Sequence, residues 1–208
     1  MRQTVRRPYR QTARAQAAEQ NGARIVDAFE RRIREGWFDQ ITLEQVAQDS
    51  GVTVQTIIRR FGGKEGLLEA AWRRLNEEIK ERRRAPAGDV RSAIHVIVED
   101  YEHVGDLVMR ALAQEERHPA LKATNDIGRA HHRGWIEEAF APWLTGLPRE
   151  ARRRRVDALV AATDLYLWKL VRRDMGRPAR HVEAVMLDLV SGVIGTDINI
   201  EAEASHRD

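Results

Sequence analysis

The sequence contains no cysteine. That excludes a disulfide framework, a thiolate zinc site and a cysteine nucleophile, and it fits a reducing cytoplasm. The first twenty residues hold no apolar run of the length a signal peptide or a membrane span needs, so the chain reads as cytosolic. No stretch alternates apolar and polar residues long enough to make a strand, and no internal repeat is visible. A nucleophile motif, a glycine-rich phosphate loop and an H-E-x-x-H pair are also missing. Glu115, Glu116, His118 and His131 could supply an acid and a base, but nothing in their spacing points to a reaction. The adjacent His131 and His132 project about 100° apart on a helix and make poor co-ligands, so neither a metal nor a cofactor is expected.

What is present is helical. The apolar fraction of 42% in 208 residues is enough for a packed core. The formal charge of +3 is unevenly spread. Residues 1–85 carry 18 Lys and Arg against 12 Asp and Glu, whereas residues 86–208 carry 17 against 20. Arg2, Arg6, Arg7, Arg10 and Arg14 precede the first acidic residue, Glu19. A basic end on a near-neutral body suits a polyanionic partner, either nucleic acid or anionic lipid.

Residues 1–16 read as a basic flexible arm. Ile25, Phe29 and Ile33 then recur at helical spacing over residues 17–35, and Gly36 ends that helix. Trp37 and Phe38 are expected to fold back as an apolar plug. A short helix over residues 43–50 starts on Thr42, whose hydroxyl and the Gln45 side chain can cap one another's backbone amides. Gly51 supplies a turn, and Thr53 is the natural N-cap of a second short helix, residues 54–61. Gly62-Gly63 breaks it, and Lys64 opens a longer helix through Leu67, Leu68, Ala71, Trp72, Leu75 and Ile79 that frays at Arg82-Arg83-Arg84. "APAGD", residues 85–89, is the expected domain boundary. Beyond it, Ile94, Ile97, Val98, Tyr101 and Val104 form one stripe. Leu107, Val108 and Leu112 form another, ended by His118-Pro119. Further helices are expected over residues 120–143, 152–173 and 180–195.

Two short helices about a glycine turn form a helix-turn-helix pattern. Val52, Ile57 and Phe61 can pack on Val46, Ala47 and Phe29, leaving Val54, Gln55, Thr56, Ile58, Arg59 and Arg60 to divide between groove and solvent. Gln55 suits an adenine edge, and Arg59 a guanine edge or a phosphate. Thr42, Thr53 and Lys64 lie at helix N-termini, where free amides favour phosphate. Arg6, Arg7 and Arg10 are placed to reach the minor groove or the phosphates, as basic arms of related readers do.

The segment "FDQITLEQVAQDSGVTVQTIIRRFGGKEGLL", residues 38–68, resembles the DNA-binding half of the tetracycline-repressor (TetR/AcrR) family of bacterial transcription regulators. The family pattern is a T-[IL]-x-x-[IV]-A helix, then G-V-S, a T-[LV]-Y step, a phenylalanine and a K-E-x-L helix start. The likeness is strong over residues 20–75 and architectural over residues 90–200. Its common tyrosine falls at Ile58, and Arg59-Arg60 occupy positions often aromatic or histidine, so the arginines take over the tyrosine's phosphate contact.

The resemblance implies an all-α fold. A helix-turn-helix DNA-binding domain (residues 17–63) and a connecting helix (64–84) precede a larger effector-binding and dimerisation domain (89–200). It further implies a homodimer through the last two long helices, double-stranded operator DNA as partner, and a repressor released by a small-molecule effector through movement of the connecting helix. Tyr101, His131, Trp135, Asp164, Tyr166 and Trp168 mix aromatic walls with polar groups, as small-molecule sites do. A DNA binder without an effector shares the same DNA site, and a filled C-terminal core would mark it.

Overall fold

A computed structural model describes the backbone of residues 7–195 and the side chains of residues 16–195. The described residues are helical and include no strand. In order they form α1 (Arg7–Glu35), a 3₁₀ turn (Phe38–Gln40), α2 (Leu43–Ser50), α3 (Val54–Phe61), α4 (Lys64–Arg82), α5 (Val90–Leu112), α6 (Pro119–Ala139), α7 (Ala141–Leu144), α8 (Arg149–Ala162), α9 (Leu165–Trp168), a π-helical turn (Lys169–Asp174) and α10 (Ala179–Ile194). Among the described residues, no helix is long and apolar enough to cross a membrane.

The chain divides into two compact units, and the division does not follow the Pro-Gly stretch at residues 85–89. The first unit runs up to Leu75 and takes in Arg110–Thr124. The second holds Asn76–Met109 and resumes at Asn125. A proline-glycine stretch marks a local break in helix, and here it only joins α4 to α5 within the second unit. Gly88 donates its amide to the carbonyl of Ala139 there.

In the first unit, Ile25, Phe29 and Ile33 of α1 are buried with Val46, Ala47, Ile57, Leu67, Leu68 and Trp72. The expected plug is half right. Phe38 is buried and meets Phe29 edge to face at 6.5 Å, whereas Trp37 is 41% exposed. The helices are clamped at their rims. Arg32 holds Asp49 by two hydrogen bonds, of 2.6 and 2.9 Å, joining α1 to α2. Arg74 of α4 reaches both Asp27 and Glu30 of α1. Such solvent-screened pairs contribute little, so burial of the apolar stripe carries most of the stability. The ends of α5 and α6 join this unit through Gln114, which accepts from the Asp39 amide at 3.4 Å, and through His118, edge-on to Phe38 at 5.3 Å.

α1 begins at Arg7, ten residues before the expected start at residue 17. Residues 11–20, QTARAQAAEQ, are strong helix formers without glycine, and Pro8 falls in the first turn where proline is tolerated.

In the second unit, the apolar stripe of α5 (Ile94, Ile97, Val98, Tyr101, Val104) is buried as expected, with Ile136, Phe140, Leu159, Trp168 and Met186. The two stripes anticipated there belong to one helix, since nothing between Val104 and Leu107 interrupts it. The long helix expected over residues 152–173 is interrupted instead. Thr163 donates its hydroxyl to the Leu159 carbonyl at 2.8 Å, and Asp164 caps the amide of Tyr166 at 2.8 Å. Two consecutive side chains that compete for backbone groups stop α8 and restart the chain as α9. Likewise the helix expected to reach residue 143 ends at Ala139, and Pro142 sits in the first turn of a new short helix.

A buried polar network holds this unit. Asp100, fully buried, accepts from Nε of Arg82 and from Nε of Arg83, each at 2.7 Å. The Arg83 guanidinium lies over the Tyr101 ring at 5.0 Å and 3.5 Å from His132 Nδ1. Tyr101 donates to the Thr163 carbonyl at 2.9 Å. The Thr163 hydroxyl proton is committed to Leu159, so His132 Nε2, 3.2 Å away, must donate to that oxygen. Nδ1 then faces Arg83 as an acceptor, which describes a neutral imidazole. Burial, with Arg83 beside it, pushes the His132 pKa down to about 4.

The unfolded chain therefore takes up this proton near pH ~6.5 and the folded chain only near 4. Stability from this group is complete above pH ~6.5 and is lost as the pH falls toward 4, by about 3 kcal/mol. Urea midpoints measured across that range should fall in the wild type and fall less in His132→Gln. Equal slopes would remove His132 as the cause.

Candidate nucleic-acid interface

α2 and α3 are built by local chemistry. Thr42 accepts from the Gln45 amide at 3.3 Å, and the Gln45 side chain accepts from the Thr42 amide at 3.0 Å, closing the expected capping box. Gly51 ends α2 with φ +67°, a left-handed turn that a side chain would strain, and this turn sets the angle between the two helices. Thr53 caps α3 by accepting from the Thr56 amide at 3.2 Å. Gly62 ends α3, again left-handed. Ile57 is the only fully buried residue of α3. Phe61 and Val52 are half-buried, so the anticipated apolar face rests chiefly on Ile57.

The opposite face carries the exposed candidates. Gln55, Arg59 and the 41%-exposed Ile58 point away from the core, with Val54 and Thr56 half-buried beside them. Thr42 and Thr53 are exposed at the two helix starts, their hydroxyls already engaged as caps. Two basic candidates sit differently from expectation. Arg60 does not share the outward face of Arg59: it turns to α1, where Nη1 donates to the Ala18 carbonyl at 2.8 Å. A guanidinium with a carbonyl acceptor within reach has a partner that solvent-facing Arg59 lacks among the described residues. Lys64 lies over the Phe38 ring at 4.3 Å and donates to the Asp39 carbonyl at 3.5 Å, and burial lowers its pKa. Arg6 and the side chains of Arg7 and Arg10 lie outside the described residues.

The six ligand candidates do not form one site. Tyr101 and Trp168 are buried core side chains in contact with each other, centroids 6.1 Å apart, with their polar atoms satisfied by the Thr163 carbonyl and Glu102. Asp164 is a helix cap and Tyr166 is 57% exposed. Aromatic type alone did not separate core from wall. Of the six, His131 and Trp135 together line a groove of about 690 Å³. Lys80, Arg83, Arg84 and Pro86 line it as well, and the Trp135 indole donates to the Arg83 carbonyl at 2.8 Å. By sequence these arginines read as a frayed helix end. Among the described residues, no group of three or more potential metal ligands is found.

Comparison with known proteins adds to this geometry. The family model described as bacterial regulatory proteins, tetR family, matches residues 25–71, which spans the C-terminal third of α1, all of α2 and α3, and the start of α4. The HTH-type transcriptional regulator BetI of Paraburkholderia xenovorans (strain LB400) is 30% identical over 153 residues, covering 68% of this chain and 77% of the relative. Regulators of the same name from Paraburkholderia phytofirmans and Burkholderia ambifaria are each 29% identical, with the same shares covered.

Proposed function

Because the chain belongs to the tetR family of bacterial regulatory proteins, and is thereby a DNA-binding transcriptional regulator, we propose that it works in the cytoplasm as a homodimeric repressor released from its operator by a small molecule. The observation that carries the DNA half of this reading is the outward face of α3, where Gln55, Ile58 and Arg59 are exposed between two capped ends. Gln55 pairs with an adenine edge, Arg59 with a guanine edge or phosphate, and Ile58 meets a thymine methyl, with Val54 and Thr56 flanking them. Thr42, Thr53 and Lys64 meet phosphates and set the register, and Arg6, Arg7 and Arg10 add backbone contacts.

The dimer forms through the end of the chain. Among the described residues, four of the seven large exposed apolar side chains, Tyr166, Leu170, Met175 and Leu189, lie on the stretch from α9 to α10, which is where a partner copy would bury them. A twofold dimer places its two α3 helices about 34–36 Å apart and requires a near-palindromic operator. The effector enters the groove of His131 and Trp135. Lys80 and Arg83 line that groove, so a ligand there touches the C-terminal end of α4 directly. Such a ligand shifts operator affinity by its difference in affinity between the two positions of α4, and by no more. On this reading residues 17–63 read DNA, residues 64–84 transmit, and residues 89–200 bind effector and partner. The protein acts by binding, without catalysis.

A footprint on the DNA flanking its own gene, repeated at several salt concentrations, tests the whole. A roughly palindromic protected site that survives moderate salt is expected, and diffuse protection that disappears with salt would sink the reading. Within it, Gln55→Ala should cost about 1–3 kcal/mol of operator binding and relax preference at one base pair per half-site. Lys64→Ala should weaken binding to all sequences alike and lower the salt slope by about one. Equal losses on operator and random DNA for both variants would refute that division of roles.

A further inference from the structure

Arg60 crosses 42 residues of sequence to bond the Ala18 carbonyl, a group already inside a helix. It can do so because of Gly22, one turn further along α1. A Cβ at Gly22 would fall on the Arg60 guanidinium itself, so the glycine is the seat in which that group lies. The Arg60 guanidinium also stands 5.8 Å from the Phe61 ring centroid, on its own helix. A glycine inside a helix weakens it, and close approach of another group is the usual physical reason for one.

The helix held in this way continues toward the N-terminus to Arg7. At 3.6 residues per turn, positions 7 and 14 fall on the face of α1 that holds Ala18 and Gly22, and position 10 falls on its flank. All three are arginine, and no acidic residue precedes Glu19. The basic row of α1 is thus on the side of the helix from which Arg60 approaches.

We propose that Arg60 is a positioning residue that holds the N-terminal turns of α1 against the recognition helix. It makes those turns a rigid second DNA-contacting surface, which meets the phosphate backbone beside the bases that α3 reads. Arg60 then acts through α1 and does not itself bond a base. The partner is duplex phosphate, and the proposal rests on the placement of α3 in the major groove given above. Its distinguishing consequence is that removing the seat at Gly22 weakens DNA binding without removing any charge.

The test is operator titration by footprinting over a range of salt, with full-length Gly22→Ala, Arg60→Ala and the double variant Arg7→Gln/Arg14→Gln. Gly22→Ala raises intrinsic helix propensity, and the group it displaces is the far end of a flexible side chain, so the fold is retained and an unchanged Tm records this. Each variant is expected to lose about tenfold in affinity near 0.15 M salt and to lower the salt slope by about two, the number of positioned arginines. Combining Arg60→Ala with the double variant should add nothing further. Wild-type affinity in Gly22→Ala beside a loss in Arg60→Ala would mean that Arg60 touches DNA itself, and would overturn the proposal. Additive losses in the combined variant would overturn it too. Gln55→Ala on the same DNA keeps the readings apart. If it leaves base preference intact, the placement of α3 has failed, while the salt slopes still decide the role of Arg60.

Discussion

Asp100→Ala is expected to lower the stability of the folded chain by about 3–5 kcal/mol, the range for removing one partner from a buried ion pair. Asp100 has no exposed surface, and it is the acceptor for two guanidinium groups at once. The Arg83 side chain is only 11% exposed and lies against the Tyr101 ring, so little of it reaches water when its carboxylate is lost. Arg82 Nη2 is buried without a hydrogen-bond partner even in the intact network, and Arg82 keeps only the longer 3.7 Å pair with Glu78 when Asp100 is lost. Asp100→Asn keeps the shape and one acceptor, and should lie between alanine and wild type. Thermal and urea unfolding give the magnitudes, and hydrogen exchange in α5 shows whether the loss is local. A loss under ~1 kcal/mol for the alanine variant would mean that both arginines find other partners and that the network is not a keystone of this unit.

Leu189→Asp should have the largest effect on function. Leu189 is 45% exposed on α10, and Ala184, Asp188 and Gly192 of the same helix are exposed with it. Ala184 and Gly192, small residues near this leucine, let a partner helix come close, so the proposed interface is tightest there. A carboxylate at this point would have to be buried unpaired in the dimer, while in the monomer it costs nothing. The variant should sediment as a folded monomer with an unchanged helical spectrum. Its operator affinity should fall by about 10²–10⁴-fold, because each half-site is then bound alone. A dimer that persists with full affinity would place the interface elsewhere on the chain.

The parts of this structure that were legible in the sequence are those fixed by neighbours a few residues apart. Thr42 with Gln45, Gly51, Thr53 and Gly62 each act over a single turn, and all the boundaries of α2 and α3 fell where these residues put them. What was hidden depends on distant partners. The spacing of Val156, Leu159, Val160, Thr163, Leu167 and Leu170 fits one unbroken helix. The break at Thr163 and Asp164 was a local signal overridden by that spacing, and the buried His132 that shares the Thr163 hydroxyl was the distant part. The groove was hidden for the same reason: Arg83 and Arg84 look like a solvated end until Trp135 is brought beside them. Aromatic residues were a poor guide, because Tyr101 and Trp168 satisfy their polar atoms inside the core as readily as a wall residue would with a ligand. Gly22 was the signal left unread, a glycine in the middle of a strong helical pattern with no turn to explain it.

The seat of Lys64 on Phe38 has a consequence for how fast the protein can engage DNA. An ammonium group free in water carries a full hydration shell and a long stem that samples many rotamers, and both must be given up when a phosphate is gripped. Here the ring on one side and the Asp39 carbonyl on the other have already stripped part of that shell and chosen the rotamer. On the proposed reading, in which Lys64 meets a phosphate, the lysine starts from a partly desolvated and already ordered form. Little of the association barrier then lies at this contact on that reading, and more of it lies in the fitting of α3 into a groove.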